Sequence, residues 1–199
     1  MITQQTSEIL PEKSMTLKDF EAVFKSYYSS LFQYAFSFTR DEEAAKDVVA
    51  DVFVTLWAKR SQLQISLSTK SYLFAMVKHQ ALKQVKRHKK EQEESGHYLF
   101  SQPVHQPSPL DKYLSHQSTR FLEELINKLP TLRQEIIELK LFGLKNREIA
   151  ETLHLTEKKV EYQLGQSIEV LKYQIKKAQK AGSLVLESLA FVNLVLMFS

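Results

Sequence analysis

A dense group of positive charges lies in the middle of the chain. Between positions 78 and 90 there are six lysine and arginine residues and no acidic residue, in a segment whose periodicity predicts a helix. Tyr72, Phe74 and His79 lie close to this basic run. Because cations follow a phosphate backbone and rings stack on unpaired bases, the pattern favours contact with single-stranded nucleic acid. A solvated helix face is the alternative. The basic residues are Lys78, Lys83, Lys86, Arg87, Lys89 and Lys90.

A pair of carboxylates precedes this run, on a helix predicted from Ala44 to Trp57. Asp47 and Asp51 are four residues apart and share one helix face, whereas Phe53 and Trp57 share another. Paired carboxylates can perform acid–base chemistry, but no nucleophile, histidine or metal ligand is spaced around them. The pattern therefore favours an acidic protein-docking face, with a solvated face as the alternative.

Sequence motifs of the common enzyme classes are missing. The chain has no GxSxG, P-loop or HExxH pattern, no cysteine, and six scattered histidines. Without cysteine there can be no disulfide, thiolate metal site or cysteine nucleophile. We therefore expect no enzymatic activity, no catalytic residue, no metal, no cofactor and no small-molecule substrate.

Residues 146–164 fit a helix-turn-helix. Ala150 is small enough for two helices to cross closely, and the second helix then faces outward, so that its first turns can enter a DNA major groove. An ordinary helical hairpin is the alternative. The apolar positions predicted to bury the two helices against each other are Ile149, Leu153, Leu155 and Val160.

The turn of this motif contains an unusual residue. Glycine is common where a turn needs a positive φ, and His154 takes its place here. Thr156 can cap the second helix by accepting a backbone N–H bond. Lys145 and Arg147 would lie beside the phosphate backbone. The residues predicted to face outward on the second helix are Glu157, Lys158, Lys159, Glu161, Tyr162 and Gln163.

The composition places these features in a helical protein. The chain has 199 residues, enough for one ordinary domain or two small ones, and its apolar content of 43% favours a folded chain. It contains only 4 glycines, which disfavours turn-rich β folds, and no useful stretch alternates at the β period. The net charge of +4 is small, so the charge matters only where the basic run concentrates it. The predicted fold class is all-α.

Two helical blocks flank a segment of different composition. The first block covers residues 17–90 and the second covers residues 118–180. Between them, residues 91–117 contain three prolines among Ser, Gln and His without apolar periodicity, which predicts a flexible linker between two small domains. An apolar tail follows at 181–199.

Neither end of the chain resembles a membrane element. The N-terminus lacks the apolar core of a secretory signal. The apolar stretch at 183–199 would reach roughly 25 Å as a helix, whereas a bilayer core needs about 30 Å. We therefore expect a cytoplasmic protein. Three interpretations of the tail stay open: additional core, a membrane-surface attachment, or a surface for a partner.

Three stretches together carry a family resemblance: DVVADVFVTLW at 47–57, SYLF at 71–74 and NREIAE at 146–151. In this order and spacing they resemble the sigma-70 family of RNA polymerase sigma factors, in the small, two-domain extracytoplasmic-function (ECF) group of the Bacteroidetes type. The resemblance covers about Phe20 to Lys176. It implies region 2 in the first block, region 4 with the helix-turn-helix in the second, and a role in directing core polymerase to specific promoters and assisting −10 melting.

The resemblance also implies partners and site residues. The partners are core RNA polymerase, through its β′ clamp helices and β flap, and promoter DNA; an anti-sigma factor is a further candidate. The residues implied in core-polymerase binding are Asp47, Asp51, Phe53 and Trp57. Those implied in −10 binding are Lys78, His79, Lys83, Lys86 and Arg87. Those implied in −35 binding are Lys145, Arg147, Thr156, Lys158, Lys159, Tyr162 and Gln163.

The chain departs from the family pattern at three places. Ala50 replaces a frequent glutamine, His79 replaces the usual asparagine, and Gly165 and Gln166 follow the recognition helix where small or basic residues are common. The alternative function is a helix-turn-helix transcriptional regulator with a helical sensory or dimerisation domain at its N-terminus. A helical protein-interaction module is a third hypothesis.

Overall fold

The computed structural model describes residues 15–61, 69–95 and 116–180, and in these ranges the chain forms seven helices and no strand. The predicted all-α class is confirmed. The apolar tail, the central part of the predicted linker (96–115) and the polar loop at 62–68 lie outside the described residues. The helices are α1 (Leu17–Thr39), α2 (Glu42–Ala58), α3 (Thr69–Ser95), α4 (His116–Asn127), α5 (Thr131–Leu141), α6 (Asn146–Leu153) and α7 (Glu157–Lys180).

A tight corner joins α1 to α2. Helix α1 starts after Thr16, which exchanges hydrogen bonds with Asp19 in a capping box. It ends at Arg40, whose φ of 53° lies in the left-handed region. Asp41 then caps α2 by accepting the Ala44 N–H at 2.7 Å. Because only two residues separate the helices, α2 folds back onto α1.

The apolar face of α1 is buried mainly in its second half. Leu31 and Tyr34 are inaccessible to solvent, Phe20 and Tyr27 are partly buried, and Phe24 is exposed. Helix α2 buries apolar residues on two adjacent stripes because it contacts both α1 and α3. They are Ala45, Val48, Val49, Val52, Phe53 and Leu56. Helix α3 completes this core with Leu73, Phe74, Val77 and Ala81.

Helix α3 is longer than the sequence predicted. A linker was expected from residue 91, but the helix continues to Ser95. The Glu91 carboxylate lies 3.6 Å from Arg87 Nε and 3.7 Å from His88 Nδ1, each about one turn earlier. Side-chain pairs at this spacing stabilise an exposed helix. This end of α3 can therefore be helical without an apolar face that packs on the core.

The basic end of α3 extends beyond the core. Ala81 is fully buried, but Leu82 and Val85 are exposed. The exposure of Val85 shows that the apolar face of α3 ends one turn earlier, at Ala81. The positive charges after Ala81 are therefore carried by a helical segment that is surrounded by solvent.

The second block is divided by two backbone signals. Pro130 separates α4 from α5, because proline cannot continue a helix from its interior. Gly143 follows α5 with φ 76°, in the left-handed region that glycine adopts readily. A Cβ at Gly143 would lie 3.3 Å from Lys70 Nζ, so a neighbouring helix also approaches closely here. The buried residues of this block include Leu122, Ile136, Leu139, Leu144, Ile149, Val160, Leu164 and Ile168.

The two blocks pack against each other through α1 and α3 of the first block and α5, Phe142 and α6 of the second. The ring of Phe142 lies 5.8 Å from that of Tyr34 and 5.5 Å from that of Phe74, measured between centroids. Lys70 Nζ donates to the Gly143 carbonyl at 2.7 Å. The sequence predicted two helical units but not this contact, because no local pattern shows which faces of distant helices meet.

Candidate nucleic-acid and protein-binding surfaces

The helix-turn-helix has the predicted helices and turn. His154 ends α6 with φ 55° and ψ 45°, the left-handed conformation expected of the residue that replaces glycine. The Leu155 N–H donates to the Ala150 carbonyl at 2.9 Å, which closes the turn. Thr156 Oγ1 accepts the Lys159 N–H at 3.3 Å and caps α7, as predicted. Ile149, Ala150 and Val160 are buried between the helices, whereas Leu153 and Leu155 are partly buried.

The outward face of α7 carries most of the residues expected to contact the −35 element. Lys158 and Lys159 are exposed, and Tyr162 is 60% exposed. Gln163 is different, because it is partly buried and its Oε1 accepts the Arg133 Nε–H at 2.9 Å. The side-chain nitrogen of Gln163 is therefore the group that can donate a hydrogen bond to a base edge. The hydrogen bond also fixes the side chain in one orientation.

Two positive residues flank the entrance to the motif. Lys145 precedes α6 and is exposed, and its backbone N–H donates to Glu148 at 2.8 Å. Arg147 is exposed, but its Nε lies 3.2 Å from Glu151. An exposed pair of this kind is weak, so a phosphate can replace the carboxylate as partner of Arg147.

The basic residues of α3 do not form a single face. His79, Lys83, Lys86 and Arg87 are exposed and lie on one side of the helix. Lys78 is about 100° away from His79 around the helix axis and turns towards α5. Its Nζ lies 2.8 Å from Glu135 Oε1, and the side chain is only 26% exposed. The sequence grouped Lys78 with the other four residues, and its pairing across the two blocks separates it from them.

Of the three rings near the basic run, Phe74 is buried, Tyr72 is partly buried and His79 is exposed. Phe74 is fully buried, with its ring centroid 5.1 Å from Tyr34 and 5.5 Å from Phe142. Tyr72 is partly buried, and burial raises the pKa of its hydroxyl. Phe74 therefore belongs to the core, because burial of its apolar ring stabilises the folded protein.

The acidic face of α2 is exposed as predicted. Asp47 and Asp51 point away from the core, and Val54 lies on the same face with 68% of its surface exposed. An apolar side chain held in water beside two carboxylates suggests a contact that combines charge with apolar burial. Val54 was not among the predicted site residues, although an apolar β-branched residue on a polar helix face was a signal for it.

Phe53 and Trp57 support this helix from within the protein. Phe53 is buried, and its ring centroid lies 4.8 Å from that of Phe24 and 5.9 Å from that of Phe20. Phe53 therefore leaves almost no surface for a partner, although the resemblance implies it in core-polymerase binding. Trp57 is partly buried at 5.1 Å from Phe20, and the Arg60 guanidinium covers its ring at 4.3 Å.

The contact between the blocks buries polar groups beside its aromatic residues. Ser71 Oγ donates to Glu151 Oε2 at 2.8 Å, and Thr152 Oγ1 lies 3.3 Å from the Ser71 carbonyl. Ser37 Oγ lies 3.5 Å from Glu138 Oε2, and burial raises the pKa of the Glu138 carboxyl. Burial likewise lowers the pKa of the Lys70 ammonium. These shifts arise because removal from water disfavours the charged form.

Within residues 15–61, 69–95 and 116–180, no group of three His, Asp or Glu residues is placed to hold a metal ion. None of the helices described there is both long enough and apolar enough to cross a bilayer.

Two family models match the chain in succession. Residues 23–91 match the model described as Sigma-70 region 2, and residues 121–169 match the model described as Sigma-70, region 4. The first match covers α2 and most of α1 and α3, and the second covers the helix-turn-helix. No curated protein matches the sequence.

Solved structures share the arrangement of helices. The chain is similar to CnrH in its complex with the cytosolic domain of CnrY, with a TM-score of 0.55 and 20% identity over 81% of this chain and 90% of that chain. It is also similar to the sigma factor RpoE from Bartonella quintana in its complex with the anti-sigma factor NepR. There the TM-score is 0.60 and the identity is 21%, over 80% of this chain and 98% of that chain. At this identity the similarity establishes a common fold.

Proposed function

Since the chain belongs to the sigma-70 family, of which it contains region 2 and region 4, we propose that it acts as an RNA polymerase sigma factor. It directs core polymerase to specific promoters and assists melting of the −10 element. The observation that carries this conclusion is the presence of both regions on one chain, in this order. A helix-turn-helix regulator would need only the second region, and the match over 23–91 accounts for the first block.

The −35 element is read by the outward face of α7. Lys158, Lys159 and Tyr162 reach into the major groove, and Gln163 presents its amide nitrogen because Arg133 holds its oxygen. Thr156 positions the helix by capping it. Lys145 and Arg147 contact the phosphate backbone, which fixes the register of the helix on DNA.

The −10 element is held by the solvated end of α3. His79, Lys83, Lys86 and Arg87 share an exposed side of this helix, which is supported by the core as far as Ala81. Cations in a row along a helix attract the phosphates of a separated strand. Because Phe74 is buried and Tyr72 is partly buried, we assign the main contribution to charge, with His79 as the exposed ring.

Core polymerase is bound by the exposed face of α2. Asp47 and Asp51 supply the charge and Val54 supplies apolar surface, while Phe53 and Trp57 hold the helix in place from behind. The family resemblance assigns this face to the β′ clamp helices and a surface of region 4 to the β flap.

The finer assignments rest on the sequence motifs and on the structural neighbours. The motifs at 47–57, 71–74 and 146–151 favour the ECF group of the Bacteroidetes type. Two neighbours of the same fold are held in complexes, one with an anti-sigma factor and one with a cytosolic domain of another protein. A regulatory protein partner and a cytoplasmic location follow as proposals for this chain.

Promoter-dependent initiation with purified core polymerase tests the proposed function. The full chain is added to core polymerase and genomic DNA fragments, and start sites are mapped by sequencing the transcripts. We expect a defined set of starts that share −35 and −10 elements. DNA binding without any initiation would instead support the regulator hypothesis.

A charge reversal on α2 tests the core-binding face. The variant Asp47→Lys/Asp51→Lys should lose binding to core polymerase and keep its helical content, because both side chains are exposed. The matched control is Glu21→Lys/Glu124→Lys, which makes the same change of charge at exposed positions on α1 and α4. If the α2 variant still co-purifies with β′, this face does not bind core polymerase.

A further inference from the structure

The last turns of α7 expose apolar side chains in a part of the helix that the family model does not include. The region 4 match ends at residue 169, whereas α7 continues to Lys180. Val170 and Tyr173 lie in this additional part, one turn apart, with 39% and 66% of their surfaces exposed. DNA recognition by region 4 therefore does not account for these two side chains.

Val170 and Tyr173 belong to a face of α7 that runs back to the recognition helix. Helical spacing places Tyr162 and Tyr173 almost above one another, and every residue between them on this side is exposed. Gly165 also lies here, and none of the described heavy atoms is within 4 Å of a Cβ built on it. Glycine weakens a helix interior, but it leaves room for another backbone to approach closely. We call this surface the outer face of α7: Tyr162, Gly165, Gln166, Glu169, Val170 and Tyr173.

The segment that follows α7 has the composition and the length to cover the outer face. Residues 183–199, which lie outside the described residues, contain twelve apolar residues and one charged residue, Glu187. Tyr162 and Lys180 are 18 residues apart, or about 27 Å along α7. The 17 residues of the segment can span about 25 Å as a helix and about 56 Å when extended. The segment can therefore reach nearly the whole face to which it is attached.

The junction between α7 and this segment favours a reversal of direction. Gly182 lies two residues after α7, where a glycine can adopt the positive φ that ends many helices. Glu187 lies five residues after Gly182, and Lys177 lies five residues before it. A segment that turns back at Gly182 thus brings its single charge to exposed lysines of opposite charge, Lys176, Lys177 and Lys180.

We propose that residues 183–199 dock on the outer face of α7, with Val170 and Tyr173 as apolar contacts and Gly165 as the point of closest approach. Direct attachment favours this occupant over a second copy, because a tethered segment has an effective concentration in the millimolar range. The docked segment covers Tyr162, so it competes with the −35 element for α7. The competition rests on the proposed function, whereas the docking does not.

Thiol labelling of the full chain measures the docking. Because the chain has no cysteine, Glu169→Cys places a single thiol on the outer face, and Lys128→Cys places one at an exposed control position after α4. Each is combined with Val170→Gln/Tyr173→Gln and, separately, with a stop codon after Lys180. Glutamine is polar and a good helix former, so α7 should remain intact.

A matched control removes an apolar side chain elsewhere. Leu17 on α1 is 60% exposed, so Leu17→Gln makes the same kind of change at a distance from α7 in sequence and on another helix. If the segment is docked in about nine-tenths of the molecules, the thiol at position 169 should react about tenfold more slowly in the parent chain than in the two α7 backgrounds. The thiol at position 128 should react at one rate throughout, and Leu17→Gln should change neither rate.

Three results would overturn the docking. The first is equal reactivity at position 169 with and without Val170→Gln/Tyr173→Gln. The second is protection that increases with protein concentration, which would assign the outer face to the segment of another copy. The third is loss of cooperative urea unfolding after truncation at Lys180, which would make the segment part of the core.

Binding to a short DNA duplex of random sequence measures the competition. The truncated chain and Val170→Gln/Tyr173→Gln, each without introduced cysteines, should bind about tenfold more tightly than the parent chain, and Leu17→Gln should bind like the parent. Unchanged affinity beside faster labelling would support the docking and overturn the competition. Failure of the parent chain to support initiation with core polymerase would overturn the proposed function, whereas the labelling rates would still report on the docking.

Discussion

Replacement of His154 by glycine should stabilise the protein. His154 has φ 55° and ψ 45°, is exposed, and contributes its backbone N–H to the turn. The left-handed conformation costs a residue with a Cβ about 1–2 kcal/mol, and the additional freedom of glycine in the unfolded chain costs about 0.5–1 kcal/mol. We therefore expect His154→Gly to raise the free energy of unfolding by about 0.5–1 kcal/mol.

Urea unfolding followed by circular dichroism measures this difference. The midpoint should increase without a change in the slope, because the variant leaves the buried surface of the folded state unaltered. His154→Val should have the opposite effect, since a β-branched side chain is strained at positive φ. Recognition of the −35 element should not change, because the bonds that close the turn are made by the backbone.

Arg40 provides an internal control for the same reasoning. Its φ is 53°, and its backbone N–H donates to the Phe36 carbonyl at 3.0 Å, so Arg40→Gly relieves the same strain in the first block. The gain there should be smaller, because the Arg40 charge also acts on the buried Glu138 carboxyl. If His154→Gly lowers the midpoint of unfolding, the argument from backbone strain is wrong.

Three further predictions follow from burial and charge. Phe74→Ala should lower the free energy of unfolding by about 3–5 kcal/mol in urea titrations, because its ring is fully buried between the two blocks; a loss below about 1 kcal/mol would contradict this packing. Burial raises the pKa of Glu138 above its ordinary value of 4.5, so the folded state binds more protons than the unfolded state. The free energy of unfolding should therefore fall as pH rises from 4.5 through the folded pKa. Glu138→Gln should flatten this dependence in urea titrations at several pH values. Lys83→Gln/Arg87→Gln should reduce the slope of log affinity against log salt concentration by about 1.4 for a single-stranded −10 fragment, since each phosphate contact contributes about 0.7. An unchanged slope would show that neither residue contacts the DNA.

The sequence alone determined the helices and the motifs. The turn residues Arg40–Asp41, Pro130 and Gly143 end or begin helices through backbone preferences that act within a few residues. The helix-turn-helix was equally predictable, because His154 and Thr156 act on their own neighbours. The acidic face of α2 was also predictable, since helical spacing places Asp47 and Asp51 together.

Only the tertiary structure decided which of the candidate residues face solvent. Phe53 and Phe74 resemble partner-binding and base-stacking residues in sequence, but each is buried by aromatic rings from other helices. Lys78 is part of a continuous basic run, yet Glu135, 57 positions later, takes it as a partner. Helical periodicity gives the direction of a side chain around its own axis, whereas burial and pairing depend on which distant helix lies there. That choice is made by the packing of whole faces, which no local pattern contains.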